Sequence, residues 1–148
     1  MDKVKGNTGA LLLFIGTIII TISVVLSLVL GFLAFGAAGE IAAKAIVDAG
    51  GSSAEAETAR SIANITFIVI LVLSALIELL VIIPGFKYSL QRKCRTWAFV
   101  MAIILIISVV VNLIQNIANP ASLASVLVGA VGGILYIIGV LMLRKKEA

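Results

Sequence analysis

The stretch Ile62–Ile83, IANITFIVILVLSALIELLVII, decides the fold of this chain. It is 22 residues long and contains a single charged side chain, Glu78. An α-helix needs about 20 consecutive apolar residues to cross the hydrocarbon core of a bilayer. The stretch therefore predicts a transmembrane helix.

Three further apolar runs of similar length surround it, at Gly9–Phe35, Thr96–Ala118 and Ser122–Leu143. The whole chain of 148 residues is 62% hydrophobic and 12% charged, whereas soluble domains are about half apolar and a quarter charged. A soluble globule of this size cannot bury so much apolar surface, because its surface-to-volume ratio is too high. We predict an all-α, four-helix transmembrane bundle that forms one integral membrane domain over residues 1–148.

The basic residues predict the orientation of this bundle. Nine of the 11 lie at the N-terminus, in the loop 84–95 or at the C-terminus, and these are Lys3, Lys5, Lys87, Arg92, Lys93, Arg95, Arg144, Lys145 and Lys146. Loops rich in Lys and Arg stay on the cytoplasmic side, which places both termini in the cytoplasm. The net charge of +4 thus indicates contact with anionic lipid headgroups at that face, and no nucleic-acid partner is expected.

The segment 39–61 between the first two spans predicts a helical hairpin on the outer side. Gly39–Ala49 is rich in good helix formers and is expected to extend the first helix. Gly50-Gly51 then breaks the helix, and Ser52 with Glu55 has the spacing of a capping box that opens the second helix.

Two prolines predict helix boundaries near the membrane surface. Pro84, followed by Gly85, is expected to end the second helix at the cytoplasmic interface. Asn119 is expected to cap the fourth helix, with Pro120 in its first turn.

Glu78 is the one acidic or basic residue within the apolar runs, and Ser74 precedes it by about one helical turn. An ionised carboxylate is costly in hydrocarbon, so the neutral form is favoured there. Matching depths along the spans places Thr17 and Tyr136 at the same level as candidate partners. The four residues form either a proton- or cation-binding site or a hydrogen-bonded link between helices; the link is favoured, because a transport pathway usually contains more than one such group.

Two other patterns predict contacts between helices. The third span carries a polar stripe on one face towards its outer end, and its carboxamides are Asn112, Gln115, Asn116 and Asn119. They either line an outward-open vestibule or hydrogen-bond neighbouring helices, and the second is favoured. The fourth span has small residues at four-residue spacing, Ser125, Gly129 and Gly133, which let another helix backbone approach closely.

The composition excludes most catalytic chemistry. The chain has no histidine and one cysteine, Cys94, so it offers no histidine-ligated haem, few ways to bind zinc, and no Ser–His or Cys–His nucleophile. We expect no enzymatic activity, no cofactor and no metal site.

The chain ends with Gly132-Gly133-Ile134-Leu135, Gly139-Val140-Leu141 and Arg144-Lys145-Lys146, and it opens with Lys5-Gly6-Asn7-Thr8-Gly9-Ala10 before a long apolar span. In these segments and in its layout it resembles the family of small uncharacterised four-helix (tetraspan) membrane proteins of Gram-positive bacteria. The resemblance implies a bacterial plasma membrane protein and brings no assigned activity. Small multidrug resistance transporters are similar in size, but they carry their membrane Glu in the first helix, whereas here it lies in the second.

Two functions follow as hypotheses. The first is a non-enzymatic membrane protein of the accessory, assembly or immunity type that acts through helix–helix contacts with itself or with another membrane protein. The alternative is a small proton-coupled transporter or pore in which Glu78 titrates.

Overall fold

The computed structural model describes residues 2–118 and 120–147, with the side chains of residues 4–118, 126–127 and 129–147. Within these ranges the chain is all-α, as predicted. Its helices are α1 (Asp2–Lys5), α2 (Thr8–Leu33), α3 (Ala37–Asp48), α4 (Ser53–Gln91), α5 (Arg95–Asn116) and α6 (Pro120–Glu147).

Three of the helices, α2, α4 and α5, are long and apolar enough to cross a membrane, judged over the described residues. The bounds of α2 and α5 agree with the predicted spans to within two residues at each end, whereas α4 contains the predicted span 62–83 and extends beyond it on both sides. The fourth predicted span falls in α6. Asn119 and the side chains of residues 120–125 and Val128 lie outside the described part of the chain. A membrane-integral protein is therefore supported, and the count of four spans stays a prediction.

Helix α2 begins directly after Asn7, whose side-chain Oδ1 accepts hydrogen bonds from the N–H groups of Gly9 at 3.1 Å and Ala10 at 3.3 Å. Such a side chain satisfies backbone donors that have no partner within the first helical turn. Further along, Thr17 and Thr21 each donate a hydroxyl to the carbonyl four residues earlier, at 2.7 Å. Their polar groups are thus satisfied within the helix itself, which suits an apolar surrounding.

The prediction that Pro84-Gly85 ends the second helix is wrong, because α4 continues through Pro84 to Gln91. Proline fits the helical φ value and removes only one backbone donor, so a helix can continue through it where neighbouring groups compensate. The carbonyl that loses its helical donor to the proline is that of Leu80. The Tyr136 hydroxyl donates to the next carbonyl along the helix, that of Val81, at 3.1 Å. The chain leaves the helix at Arg92, which has a φ of 58°.

The prediction that residues 39–49 extend the first helix continuously is also wrong, because α2 ends at Leu33 and α3 begins separately at Ala37. Gly36 lies between them with a φ of 93°, a conformation that glycine adopts at no steric cost. The side chain of Asn64 then accepts the N–H of Gly39 at 3.1 Å, which satisfies one donor in the first turn of α3.

The predicted features of the turn between α3 and α4 are confirmed. Gly50 has a φ of 82°, and the N–H of Gly51 bonds the carbonyl of Ile46 at 2.9 Å, as in a glycine-terminated helix end. Ser52 and Glu55 form the reciprocal capping box: Ser52 N–H donates to the Glu55 carboxylate at 2.8 Å, and Glu55 N–H donates to Ser52 Oγ at 3.2 Å. Residues 37–61 therefore form a helical hairpin, and its placement outside the membrane stays a prediction.

The chain divides into two compact units. The first unit comprises Met1–Ser23 and Glu78–Ala148, and the second unit is Val24–Ile77. The core of the first unit contains the largest fully buried side chains of the described residues, which are Tyr88, Tyr136, Leu13, Leu143, Val140, Thr17 and Ser89. The buried hydrophobic side chains of the second unit are smaller, namely Val24, Ala43 and Ala56. That both belong to one domain of residues 1–148 stays a prediction.

Candidate functional site

Glu78 lies on the exposed surface of α4, and its side chain has no hydrogen bond or ion pair among the described residues. Ser74, one turn earlier on α4, is exposed as well and belongs to the second unit. The carboxyl group of Glu78 therefore faces away from the rest of the chain.

Thr17 and Tyr136 are both fully buried in the first unit, and their hydroxyls are already used by backbone carbonyls. The two side chains meet at Gly85: a Cβ placed on this glycine would lie 2.6 Å from Tyr136 Cε2 and even closer to Thr17 Oγ1. Of the four candidate residues, the structure therefore brings together two, and it does so beside Gly85.

Gly85 explains why this close approach is possible. Any side chain at residue 85 would overlap Thr17 and Tyr136, so the absence of a Cβ lets α4 pack against both. Phe86, the next residue, contacts Phe14 of α2 edge to face, with ring centroids 5.7 Å apart, a favoured aromatic geometry. The dipeptide Pro84-Gly85, which was predicted to end the helix, therefore lies inside α4 at a site of close contact with Thr17 and Tyr136.

The carboxamide stripe of α5 faces outwards. Asn112 and Gln115 are exposed and Asn116 is half-buried, while Asn119 lies outside the described residues. Two of the amides bond the helix that carries them: Asn112 donates to the Ser108 carbonyl at 2.9 Å, and Asn116 donates to the Asn112 carbonyl at 2.8 Å. In the part of the chain that is described, the stripe forms an exposed polar surface along α5.

The predicted small-residue face of α6 is open at Gly129 and packed at Gly133, which is buried. No atom of the described residues lies within 4 Å of a Cβ built on Gly129, and the corresponding position on Gly133 meets only Val109 Cγ2 at 3.5 Å. The side chain of Ser125 lies outside the described residues. Gly129 therefore presents open backbone on the outside of the chain.

Still closer helix packing lies on glycines outside the predicted set of Ser125, Gly129 and Gly133. A Cβ on Gly16 of α2 would lie 2.6 Å from the Tyr136 backbone nitrogen, and one on Gly139 of α6 would lie 2.7 Å from Leu13 Cα. Gly9 and Gly132 make similar approaches, to Met142 and Ile19 respectively. The pairing of early α2 residues with late α6 residues shows that the two helices run antiparallel.

A sequence signal for these contacts exists. Gly9 and Gly16 are seven residues apart, and so are Gly132 and Gly139. Seven residues are close to two helical turns, so each pair lies on one face of its helix. The predicted stripe through Gly129 and Gly133 lies on a different face of α6, next to the face of Gly132 and Gly139 that contacts α2.

One end of the first unit gathers charged side chains around Glu147. The Tyr88 hydroxyl donates to Glu147 Oε2 at 2.9 Å, and the Nε atoms of Arg95 and Arg92 lie 3.7 Å and 3.9 Å from its carboxylate oxygens. Arg144 stacks on Phe99, with its guanidinium carbon 3.9 Å from the ring centroid, a cation–π contact. These contacts bring the ends of α4, α5 and α6 together, so two of the basic clusters share one end of this unit.

Comparisons of the chain with protein-family models, with curated proteins and with solved structures found no match. The resemblance to tetraspan proteins of Gram-positive bacteria therefore stays a prediction. Among the described residues, no three Cys, Asp or Glu side chains form a group that could hold a metal ion.

Proposed function

We propose that the chain is a plasma membrane protein that crosses the bilayer four times, with both termini cytoplasmic, and acts through helix–helix contacts. Its role is of the accessory, assembly or immunity type, and its contact partner is a second copy of the chain or another membrane protein. No enzymatic step is part of the proposal.

The exposed carboxamides of α5 are the observation that carries this proposal. Asn112 and Gln115 lie on the outside of a helix that is apolar enough to cross a membrane. The one described bond of the Asn112 amide goes to its own helix and leaves its Oδ1 and one N–H without a partner among the described residues. Polar groups unsatisfied in hydrocarbon cost several kcal/mol, so a partner helix with complementary donors and acceptors is favoured over lipid.

Gly129 supports the same interpretation. The contact between Val109 and Gly133 sets the antiparallel register of α5 and α6, and this register puts Gly129 at the depth of Asn112. Open glycine backbone in a membrane helix permits close approach of another helix. A carboxamide and an open glycine at one depth are the usual components of such a contact.

The alternative, a proton-coupled transporter or pore, depends on Glu78 alone. Thr17 and Tyr136 are occupied by backbone carbonyls, so the proposed titrating group lacks the hydroxyls that the sequence assigned to it. A carboxyl that faces outwards fits a hydrogen bond to a partner helix as well as it fits a proton-carrying role.

Solubilisation in a mild detergent, followed by a measurement of particle mass, tests the proposal. We expect the wild-type chain to elute in a complex heavier than the 15.4 kDa monomer plus its detergent. We expect Gly129→Leu and Asn112→Leu each to lower the association constant about tenfold, which corresponds to a loss of about 1.4 kcal/mol.

Ile107→Leu is the matched control, since it puts the same side chain on an exposed apolar position of α5, and it should leave association unchanged. Wild-type chain that is monomeric at every detergent concentration would contradict the proposal. Association that is intact in both variants, together with proton uptake into liposomes that Glu78→Gln abolishes, would favour the transporter instead.

The proposed orientation has its own test, because Cys94 is the one cysteine of the chain. A membrane-impermeant maleimide should leave Cys94 unlabelled in intact cells and label it after the cells are opened. In a Cys94→Ser background, Ser52→Cys should react in intact cells. The reverse pattern would place the termini outside.

A further inference from the structure

A pocket of about 520 Å³ lies where the start of α2 meets the end of α6. Its lining residues come from two short segments of the first unit, and they are Asn7, Thr8, Gly9, Met142, Lys145 and Lys146. The volume is within the range of small-molecule binding sites, about 300–1,000 Å³.

The floor of the pocket is firmly packed. A Cβ on Gly9 would lie 2.8 Å from Met142 Cβ and 3.0 Å from the Leu143 nitrogen, so the two helix backbones are in close contact there. Asn7 is held in place because its Oδ1 accepts the N–H groups of Gly9 and Ala10. The walls of the pocket are therefore defined by the packing of α2 against α6.

The polar groups of the pocket are suited to an anion. Lys145 and Lys146 supply two ammonium groups, Thr8 supplies a hydroxyl, and the Asn7 amide keeps its Nδ2 as a donor while its oxygen is engaged. No carboxylate lines the pocket.

The acid at this end of the unit pairs with arginines and not with the two lysines of the pocket. Glu147 is the acid described here, and it contacts Tyr88, Arg92 and Arg95. Neither Lys145 nor Lys146 has an ion-pair partner among the residues whose side chains are described. Among these described side chains, none compensates the positive charge at the pocket.

The depth of the pocket in the bilayer identifies the source of the anion. Gly9 opens the first apolar run and Leu143 closes the fourth, so the pocket lies at the boundary between the apolar segments and the basic ends. Lipid phosphates occupy that level in a bilayer. We propose that the pocket binds the phosphate group of an anionic phospholipid headgroup, held by Lys145, Lys146 and Thr8. This site rests on the proposed membrane crossing of α2 and α6 and not on the proposed helix–helix contacts.

Binding of phosphatidylglycerol to the full-length chain, counted by native mass spectrometry from mixed micelles, tests this site. A lysine near an anionic membrane surface contributes roughly a fivefold factor in binding. We therefore expect Lys145→Gln/Lys146→Gln to weaken binding of the tightest lipid about 25-fold.

The matched control is Lys87→Gln/Lys93→Gln, which removes the same charge from exposed lysines outside the pocket and should change that binding less than twofold. Equal losses in the two double variants would overturn the proposal, because they would indicate general attraction to basic residues. Thr8→Val tests the pocket without a change of charge, because it removes the hydroxyl proposed to bond the lipid phosphate. Weakening of phosphatidylglycerol binding by about threefold or more would support the pocket.

Inorganic phosphate distinguishes a lipid headgroup from a soluble phosphate. We expect the bound phosphatidylglycerol to remain in place at millimolar phosphate. Displacement of the lipid at that concentration would overturn the headgroup assignment. Circular dichroism of each variant should show the same helical signal as wild type, which checks that each variant is folded.

Discussion

The two units of the chain differ in how they bury apolar surface. In the first unit the large side chains Tyr88, Tyr136 and Leu13 are 0% exposed, and glycines let the backbones of α2 and α6 come into contact. In the second unit the large apolar side chains point outwards, and Leu33 and Ile41 are 77% and 72% exposed.

This difference shows where the chain is stabilised by its own packing and where it depends on its surroundings. Lipid tails are as apolar as leucine, so exposure of leucine and isoleucine costs nothing inside a bilayer, and helix association there relies on close packing and polar contacts. By this criterion the first unit is held by its own contacts. The second unit has one comparable close approach, of Leu71 to Gly31, together with the capping box, the Asn64 hydrogen bond and the exposed ion pairs of Arg60 with Glu40 and Glu57. Exposed ion pairs contribute little to stability.

The largest expected effect comes from filling the contact between α2 and α6. Gly139→Leu places a side chain where Leu13 backbone atoms already lie, and overpacking of this kind costs about 3 kcal/mol or somewhat more. Unfolding in mixed detergent micelles, followed by circular dichroism, measures the loss of stability.

Gly129→Leu is the control for this substitution, because it adds the same side chain on the same helix where no described atom lies within 4 Å. At a detergent excess that keeps the wild type and both variants monomeric, its free energy of unfolding should stay within about 0.5 kcal/mol of wild type. Equal destabilisation by both variants would remove the distinction between a packed and an open glycine face.

A smaller effect is expected at the proline of α4. Tyr136→Phe removes the hydroxyl that donates to the Val81 carbonyl, and hydrogen bonds between membrane helices contribute about 0.6 kcal/mol on average and up to about 1.7. We expect a loss near 1 kcal/mol in the same unfolding measurement.

Pro84→Ala supplies the matched comparison for Tyr136. The alanine N–H would bond the carbonyl of Leu80, four residues earlier, and not the Val81 carbonyl that Tyr136 contacts. The cost of Tyr136→Phe should therefore be the same in both backgrounds to within about 0.5 kcal/mol. A cost that falls to half or less in the Pro84→Ala background would contradict this assignment of the hydrogen bond.

The smallest effect is expected in the second unit and should remain local. Ser52→Ala removes the Oγ that accepts the Glu55 N–H, a cap worth about 1 kcal/mol. Amide hydrogen exchange at the start of α4 should therefore accelerate about fivefold, with the amides of the first unit unchanged.

Ser53→Ala is the neighbouring control for the cap. It removes an exposed serine hydroxyl next to the cap, at the first residue of α4, and should leave exchange at this turn unaltered. Acceleration that extends into the first unit would contradict the contrast drawn between the two units.

The sequence was sufficient to predict the features that depend on length and on local capping. The apolar runs matched α2 and α5 to within two residues at each end, because the thickness of a bilayer sets the length of a span. The run 62–83 lies inside α4, which continues beyond it at both ends. Ser52 and Glu55 formed the predicted capping box, because its geometry involves only four neighbouring residues.

The features that depend on how each helix is rotated were not predictable in the same way. Matching depths along the spans placed Thr17 and Tyr136 level with Glu78, whereas both meet α4 at Gly85, seven residues further along. The continuation of α4 through Pro84 was not predictable for a related reason, since the residues that pack against Gly85 come from other helices.

Site-specific photo-crosslinking in intact membranes is the most direct test of the central claim, that the chain works through contacts on its open α5 and α6 surface. A photoreactive amino acid at position 112 or 129 should give a discrete protein crosslink. The same group at the exposed apolar positions of Ile107 and Leu127 should give mainly lipid adducts. Equal crosslinking at all four positions, or none at 112 and 129, would contradict the claim.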